Sequence, residues 1–365
     1  MIFPLEDRWG ILSILEYEHG AKKALLSLHR KHLLQFGHTD AEQQERFLSE
    51  IASTYAVSAF RQGKEFFRHA ETSSWLVKPL LLYYGMLAVA KAGLVFQSPD
   101  YFTDAKNLGH GVGSGDRAKA AADFQNEYVE IRKAGMYPLV RAALEHETFP
   151  EGTQLRLAEI LTRLPEVDAT YRLVFHRQDD PLNYVKVWGN VFYRDPEDNR
   201  VHMGFQLPMS VFESIRGRLP IEITGNVEIK TVDVSGQPMA GFRSTQSWDN
   251  EAAAVEVMPR VLTRTLDQNF ALILPIEIEG KQYRVSEVEL IYLATFYLSS
   301  LARYQPHLWL EMQAGADNLA VLLCQDLLRS SENKFLGLAQ RELHYAGLLP
   351  LVETAQAVVA PGPNR

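Results

Sequence analysis

Lys78-Pro79-Leu80-Leu81-Leu82-Tyr83-Tyr84-Gly85-Met86-Leu87-Ala88-Val89-Ala90-Lys91 is apolar on both sides of the helix that Pro79 opens. A helix with no polar side is a central one, with partners packed around it. Tyr84 and Lys91, seven apart, share one face with Leu80 and Leu87. A cation on such a helix is either a stem reaching past the helix end or an internal charge with a partner. A second stretch of the same character lies far downstream, Ser299-Ser300-Leu301-Ala302-Arg303-Tyr304-Gln305-Pro306-His307-Leu308-Trp309. Ser299 and Ser300 precede Arg303 by four and three residues, so they can share its face. Pro306 disfavours helix at Gln305, so His307 opens a new helix and meets Arg303 only at a corner.

Around these two segments the hydrophobic period changes twice. From Trp9 to about Arg163 it is helical, with Ile11, Leu12, Ile14, Leu15 and then Leu25, Leu26, Leu28, Leu33, Leu34 at helical spacing. Thr39-Asp40-Ala41-Glu42 can cap a second helix. Asp116 to Lys133 reads as a charged helix, and 155–164 as a short one stopped by Pro165. Near Tyr171 the period becomes two: Tyr171, Leu173 and Phe175 alternate with polar residues, as do 184–188 and 191–193. Asp195-Pro196-Glu197-Asp198-Asn199 is a hairpin turn before a strand at 201–205, and 221–224 and 227–232 read as further strands. Residues 270–278 and 281–285 form a closing pair around Glu279-Gly280. From Ser286 the helical period returns, over 286–304, 306–329 and 333–346. The order predicts an α+β fold: a mainly helical domain with an inserted antiparallel β-rich region. The segments are a helical region over 1–165, the β-rich insertion over 166–285, a helical region over 286–350 that completes the first, and a loose tail over 351–365.

Composition narrows the function classes. Across 365 residues, 46% are apolar and 22% charged, ordinary globular usage with room for two modest domains or one large one. Net charge is −8, from 37 basic and 45 acidic side chains, which argues against a surface gripping nucleic acid all over but leaves room for a local patch. Lys22, Lys23, Arg30 and Lys31, with His29, supply such a candidate patch: on a helix, Lys22 lies over His29 and Lys23 over Arg30. The competing reading is a solvated helix face. The single cysteine, Cys324, forbids an internal disulfide or a cysteine-rich zinc site and suits a reducing, cytoplasmic setting. The N-terminus shows no basic region followed by an apolar core, and the apolar stretch 79–90 is too short to span a bilayer, so no signal peptide and no membrane association are expected. No cofactor and no metal site are expected.

Other motifs are weaker. Asn107-Leu108-Gly109-His110-Gly111-Val112-Gly113-Ser114-Gly115 lacks the lysine and hydroxyl of a P-loop, and reads as a turn that needs positive φ and presents His110. Glu228-Ile229-Lys230 matches half of a metal-dependent nuclease site, with Glu222 or Asp198 as the upstream acid, but a solvated strand face explains it equally.

The chain resembles the YaaC-like family of bacterial proteins. The resemblance rests on Lys78-Pro79-Leu80-Leu81-Leu82-Tyr83-Tyr84 leading to Ala90-Lys91-Ala92, on His110-Gly111, on Leu157-Ala158-Glu159-Ile160-Leu161-Thr162-Arg163-Leu164-Pro165, and on Tyr297 to Tyr304 with Pro306 and Trp309. It covers roughly residues 55 to 350. The helical parts are in turn similar to HEPN domains, helical units found in RNA-directed and phage-defence proteins, which implies HEPN-like helix packing. Active HEPN ribonucleases use an arginine and a histidine with four to six residues between them. Here Arg303 and His307 have three residues between them and a proline inside, a departure from that pattern.

Two readings follow. In the first, the chain is a binding or scaffold protein that recognises an anionic ligand, a nucleotide or nucleic acid, through Tyr84, Lys91, His110, Ser299 and Arg303. In the alternative, it is a HEPN-like, metal-independent ribonuclease with Arg303, His307 and His110 as catalytic candidates: arginine holds phosphate and histidine moves a proton. The partners that fit are RNA or a nucleotide, a protein partner, or a second copy of the chain.

Overall fold

A computed structural model describes residues 9–10, 12–33, 38–114, 126–177, 183–188, 192–220, 227–249, 262–266, 269–314 and 319–345. The tail 351–365, the strand read at 221–224 and the start of the helix read from Asp116 lie outside these residues. The architecture is α+β, with a mainly helical part and antiparallel sheets. The chain forms two compact units: one of Met1–Leu157 with Ile291–Arg365, the other the continuous stretch Ala158–Leu290.

The first unit opens with α1 (Leu12–Leu15), α2 (Glu18–Leu33) and α3 (His38–Arg46). A π-helical turn at Phe47–Ala52 carries α3 directly into α4 (Ser53–Thr72). The wider turn leaves backbone carbonyls in need of donors, and two hydroxyls supply them: Ser53 Oγ donates to the Ser49 carbonyl and Thr54 Oγ1 to that of Glu50, both at 2.6 Å. Next comes α5 (Lys78–Gln97), with Pro79 in its first turn. By length and composition α5 is sufficient to cross a bilayer, longer than the apolar stretch at 79–90 suggested. Yet 67% of its most apolar window is buried, the behaviour of a core helix. It crosses α4 closely because both lack a side chain at the contact. A Cβ at Gly85 would stand 2.9 Å from two carbons of the Phe67 ring, and one at Gly63 3.0 Å from Val89.

Three short strands follow: β1 (Val112–Ser114), β2 (Tyr128–Ile131) and, beyond α6 (Met136–Glu145), β3 (Gln154–Arg156). They form one antiparallel sheet in the order β1-β2-β3. Two expectations are corrected here. The charged helix read through Lys133 is strand at its described end, because Val129 and Ile131 alternate into the core. The helix read over 155–164 is strand at Leu155, and only α7 (Leu157–Leu161) is helical.

In the second unit, Pro165 does not stop a helix but begins one, α8 (Pro165–Phe175). The strand expected at Tyr171, Leu173 and Phe175 is therefore helix. The deciding signals are proline at the first turn, Glu166 and Asp168 at the positive end, and Arg172 at the other. Asp168 and Arg172 pair at 2.8 Å, and the Tyr171 and Phe175 rings meet at 4.9 Å across one turn. Beyond α8 the unit is antiparallel β: β4 (Tyr184–Val187), β5 (Phe192–Arg194), β6 (Val201–Pro208), then α9 (Met209–Ile215), β7 (Val227–Val234), β8 (Gln237–Trp248), β9 (Leu262–Arg264), β10 (Phe270–Ile273), β11 (Ile276–Ile278) and β12 (Lys281–Tyr283). The sheets run β5-β6-β8-β7, β4-β10-β9 and β11-β12. Phe205, Phe212, Phe242 and Leu272 centre their core. Arg163 is buried beside it; its guanidinium donates to the carbonyls of Leu274, Pro275 and Glu159, and burial pushes its pKa down to about 10.

The helical C-terminal part comprises α10 (Glu287–Tyr304), α11 (Pro306–Ala314) and α12 (Ala320–Tyr345). Ser286 and Glu289 cap the start of α10, the glutamate accepting from both the backbone N–H and the hydroxyl of Ser286 at 3.1 Å. The break read near Arg329 to Asn333 is absent, and α12 runs through it. Its polar residues are used internally: Ser331 Oγ meets Thr295 Oγ1 at 2.9 Å, Glu332 pairs with Lys78 at 3.0 Å, and Asn333 donates to the Arg329 carbonyl.

Two glycine substitutions in helices should have opposite signs. Gly85→Val forces a branched side chain against the Phe67 ring and should lower stability by about 2 kcal/mol. Gly337→Ala, where nothing lies within 4 Å, should raise it by about 1 kcal/mol. Urea unfolding of each variant measures both.

Candidate functional site

His110 is presented by a turn that only glycine can make. Gly111 has φ +76° and Gly135 φ +117°, and a Cβ on Gly135 would lie 2.4 Å from the Gly111 nitrogen. The first N–H groups of α6 are spent on this turn: Met136 donates to the Gly109 carbonyl at 2.8 Å and Tyr137 to that of His110 at 3.1 Å. The helix start therefore anchors the loop rather than an anion.

The imidazole reaches α5 and, through it, α10. Tyr83 Oη lies 2.7 Å from His110 Nδ1 and 3.2 Å from Tyr292 Oη. The Tyr83 ring packs against Phe296 at 5.3 Å and Tyr292 at 5.4 Å, and Tyr137 stacks on Tyr292 at 6.1 Å. Burial holds both Tyr83 and Tyr292 far above the usual phenol range, so both keep their protons. In the tautomer whose Nδ1 accepts from Tyr83, His110 Nε2 is a donor.

Cations gather beside it. Arg303 Nη1 donates to Tyr84 Oη at 2.9 Å, and its guanidinium carbon lies 5.6 Å from the Tyr84 ring centre. Among the described residues, the buried Arg303 Nε has no acceptor. Burial lowers the His110 pKa, and the charges of Arg303 and Lys91 lower it further. Burial likewise lowers that of half-buried Lys91. Among the described residues no carboxylate pairs with Lys91, His110 or Arg303. One turn before Arg303, Ser299 is fully buried and its Oγ also lacks a partner.

The residues read from sequence are thus partly united. Tyr84, Lys91, His110 and Arg303 form one cluster. Arg303 is half-buried, and its guanidinium donates to the Tyr84 hydroxyl rather than to Ser299 or Ser300 on its own helix. His307 stands exposed on α11, and no hydrogen bond or ion pair joins it to Arg303 or His110. In the basic patch, Lys22 is exposed and Lys23 half-buried, whereas His29 turns inward, its Nε2 3.0 Å from the Phe96 carbonyl. The side chains of Arg30 and Lys31 lie outside the described residues. Glu228 and Lys230 pair with each other at 3.0 Å in the open, Asp198 holds His202 at 2.8 Å, and Glu222 lies outside the described residues. Among the described residues no three His, Cys, Asp or Glu groups could share a metal. Tyr83 and Tyr292, which fix His110, were missed. Tyr83 follows an apolar run, and nothing in the sequence tells it from Leu82 until the position of α10 is known.

A family model, YaaC-like Protein, matches residues 14–343. The chain belongs to the YaaC-like family. No curated protein and no solved structure matches it. The span matched to the YaaC-like family contains the whole cluster from Tyr83 to Arg303.

The depressed His110 pKa makes a signed prediction. An unfolded histidine takes up its proton near 6.5, whereas folded His110 resists protonation. Stability is then unaffected above that pH and falls as pH drops below it. In urea titrations from pH 8 to 5, wild type should lose stability relative to His110→Asn on acidification. A relative gain would mean that a carboxylate pairs with His110.

Proposed function

We propose that this YaaC-like chain is a binding protein whose Lys91, His110 and Arg303 receive a phosphate-bearing ligand, a nucleotide or nucleic acid. The observation that carries the reading is a set of hydrogen-bond donors and positive charges with no carboxylate among them. The Arg303 and Lys91 charges sit beside an imidazole whose protonation they oppose in a partly buried site, and an anion relieves that cost. Arg303 Nε offers a buried N–H, Lys91 an ammonium, and His110 Nε2 a third donor. Tyr84 aims the guanidinium, while Tyr83 and Tyr292 hold the imidazole. Bound phosphate would also raise the His110 pKa, tightening its own grip below neutral pH.

Binding is favoured over turnover. The cluster holds no activated nucleophile, and its two buried phenols are too weakly acidic to exchange protons near neutral pH. No observation favours the ribonuclease alternative, since His307, its second catalytic group, is not joined to the cluster.

Thermal unfolding with added inorganic phosphate tests the reading, using chloride at equal ionic strength as the reference. Phosphate at about 100 times its Kd should stabilise wild type by about 2.7 kcal/mol. Arg303→Ala should lose that response. Lys22→Ala, in the separate basic patch, should retain it. An equal phosphate response in wild type and Arg303→Ala would contradict the assignment.

A further inference from the structure

Tyr304 is the last residue of α10 and is 71% exposed, the most exposed of the large apolar or aromatic side chains among the described residues. Its position is fixed. The Gln305 N–H closes the helix on the Leu301 carbonyl at 2.9 Å, and Pro306 begins the next one. The Arg303 guanidinium carbon lies 4.9 Å from the Tyr304 ring centre. That same guanidinium lies 5.6 Å from the ring of Tyr84, which stacks on Phe66 at 5.7 Å and 27°. A series of flat groups thus runs from Phe66 through Tyr84 and Arg303 to an exposed ring.

We infer that Tyr304 is the base platform of the phosphate site: the ligand is a nucleotide unit whose phosphate meets Arg303 and whose base stacks on Tyr304. The inference rests on the phosphate reading above. Every nucleobase has a π-face, so stacking on one tyrosine adds affinity with little sequence preference. The cationic guanidinium beside the ring strengthens the attraction to both the phosphate and the π-system. Tyr304 is therefore a specificity-determining residue, separating a nucleotide from free phosphate.

Isothermal titration of the full chain with inorganic phosphate, AMP and UMP tests this. In wild type both nucleotides should bind about tenfold tighter than phosphate, a difference of about 1.4 kcal/mol. Tyr304→Ala should bring AMP and UMP down to the affinity of phosphate without changing phosphate itself. Tyr304→Phe should keep the advantage. Equal binding of phosphate and nucleotides by wild type would overturn the platform and leave the anion site standing. So would a nucleotide advantage that survives Tyr304→Ala. Binding of none of the three would overturn both.

Discussion

One buried phenol joins the parts of the candidate site. Tyr83 on α5 touches the His110 loop with its hydroxyl and meets α10 at Tyr292 and Phe296. These segments are distant in sequence, and each needs the others. The loop is held from below by the first N–H groups of α6 and from the side by the imidazole. Removing the hydroxyl would leave His110 Nδ1 and the buried Tyr292 hydroxyl without this partner, a cost on the order of 1–3 kcal/mol. The polar connection thus does what packing alone cannot: it fixes which way a histidine faces.

The helices around this junction obey a packing constraint. α5 has no polar side, so it must be surrounded, and α4 reaches it only because Gly85 admits the Phe67 ring. The close approach leaves little slack for the Tyr83 and Tyr84 pair that immediately precedes Gly85. Two adjacent residues on a helix point about 100° apart. One tyrosine therefore serves His110 and the other Arg303, and a single helix addresses both groups. The site is a consequence of how tightly α5 is held.

Much of the fold was legible because it rests on period. The central character of α5, the β-rich middle and the return to helix at Ser286 follow from spacing, and Ser286 with Glu289 marks the helix start outright. What misled was local ambiguity. Tyr171, Leu173 and Phe175 have the spacing of a strand, but Pro165, the two acids after it and Arg172 outweigh that spacing. Ser331 to Asn333 look like a break only until Thr295, Lys78 and the helix backbone are seen to bond Ser331 Oγ, the Glu332 carboxylate and Asn333 Nδ2. In the site, Tyr84, Lys91 and Arg303 stood out as polar groups on apolar helices, and His110 as the residue a glycine turn presents. Their pairing could not be read, since Arg303 donates to a hydroxyl 219 positions away. Tyr83 and Tyr304 carry no sequence signal of their own. The first is defined by what lies opposite it and the second by what does not.

The central claim is that Lys91, His110 and Arg303 face an anion rather than a carboxylate of the chain. A crystal structure determined in selenate, with anomalous data at the selenium edge, tests this most directly. The account predicts a selenium peak whose oxygens lie about 3 Å from Arg303 Nε and His110 Nε2. A side-chain carboxylate seated against those two nitrogens, with no selenium peak, would contradict it.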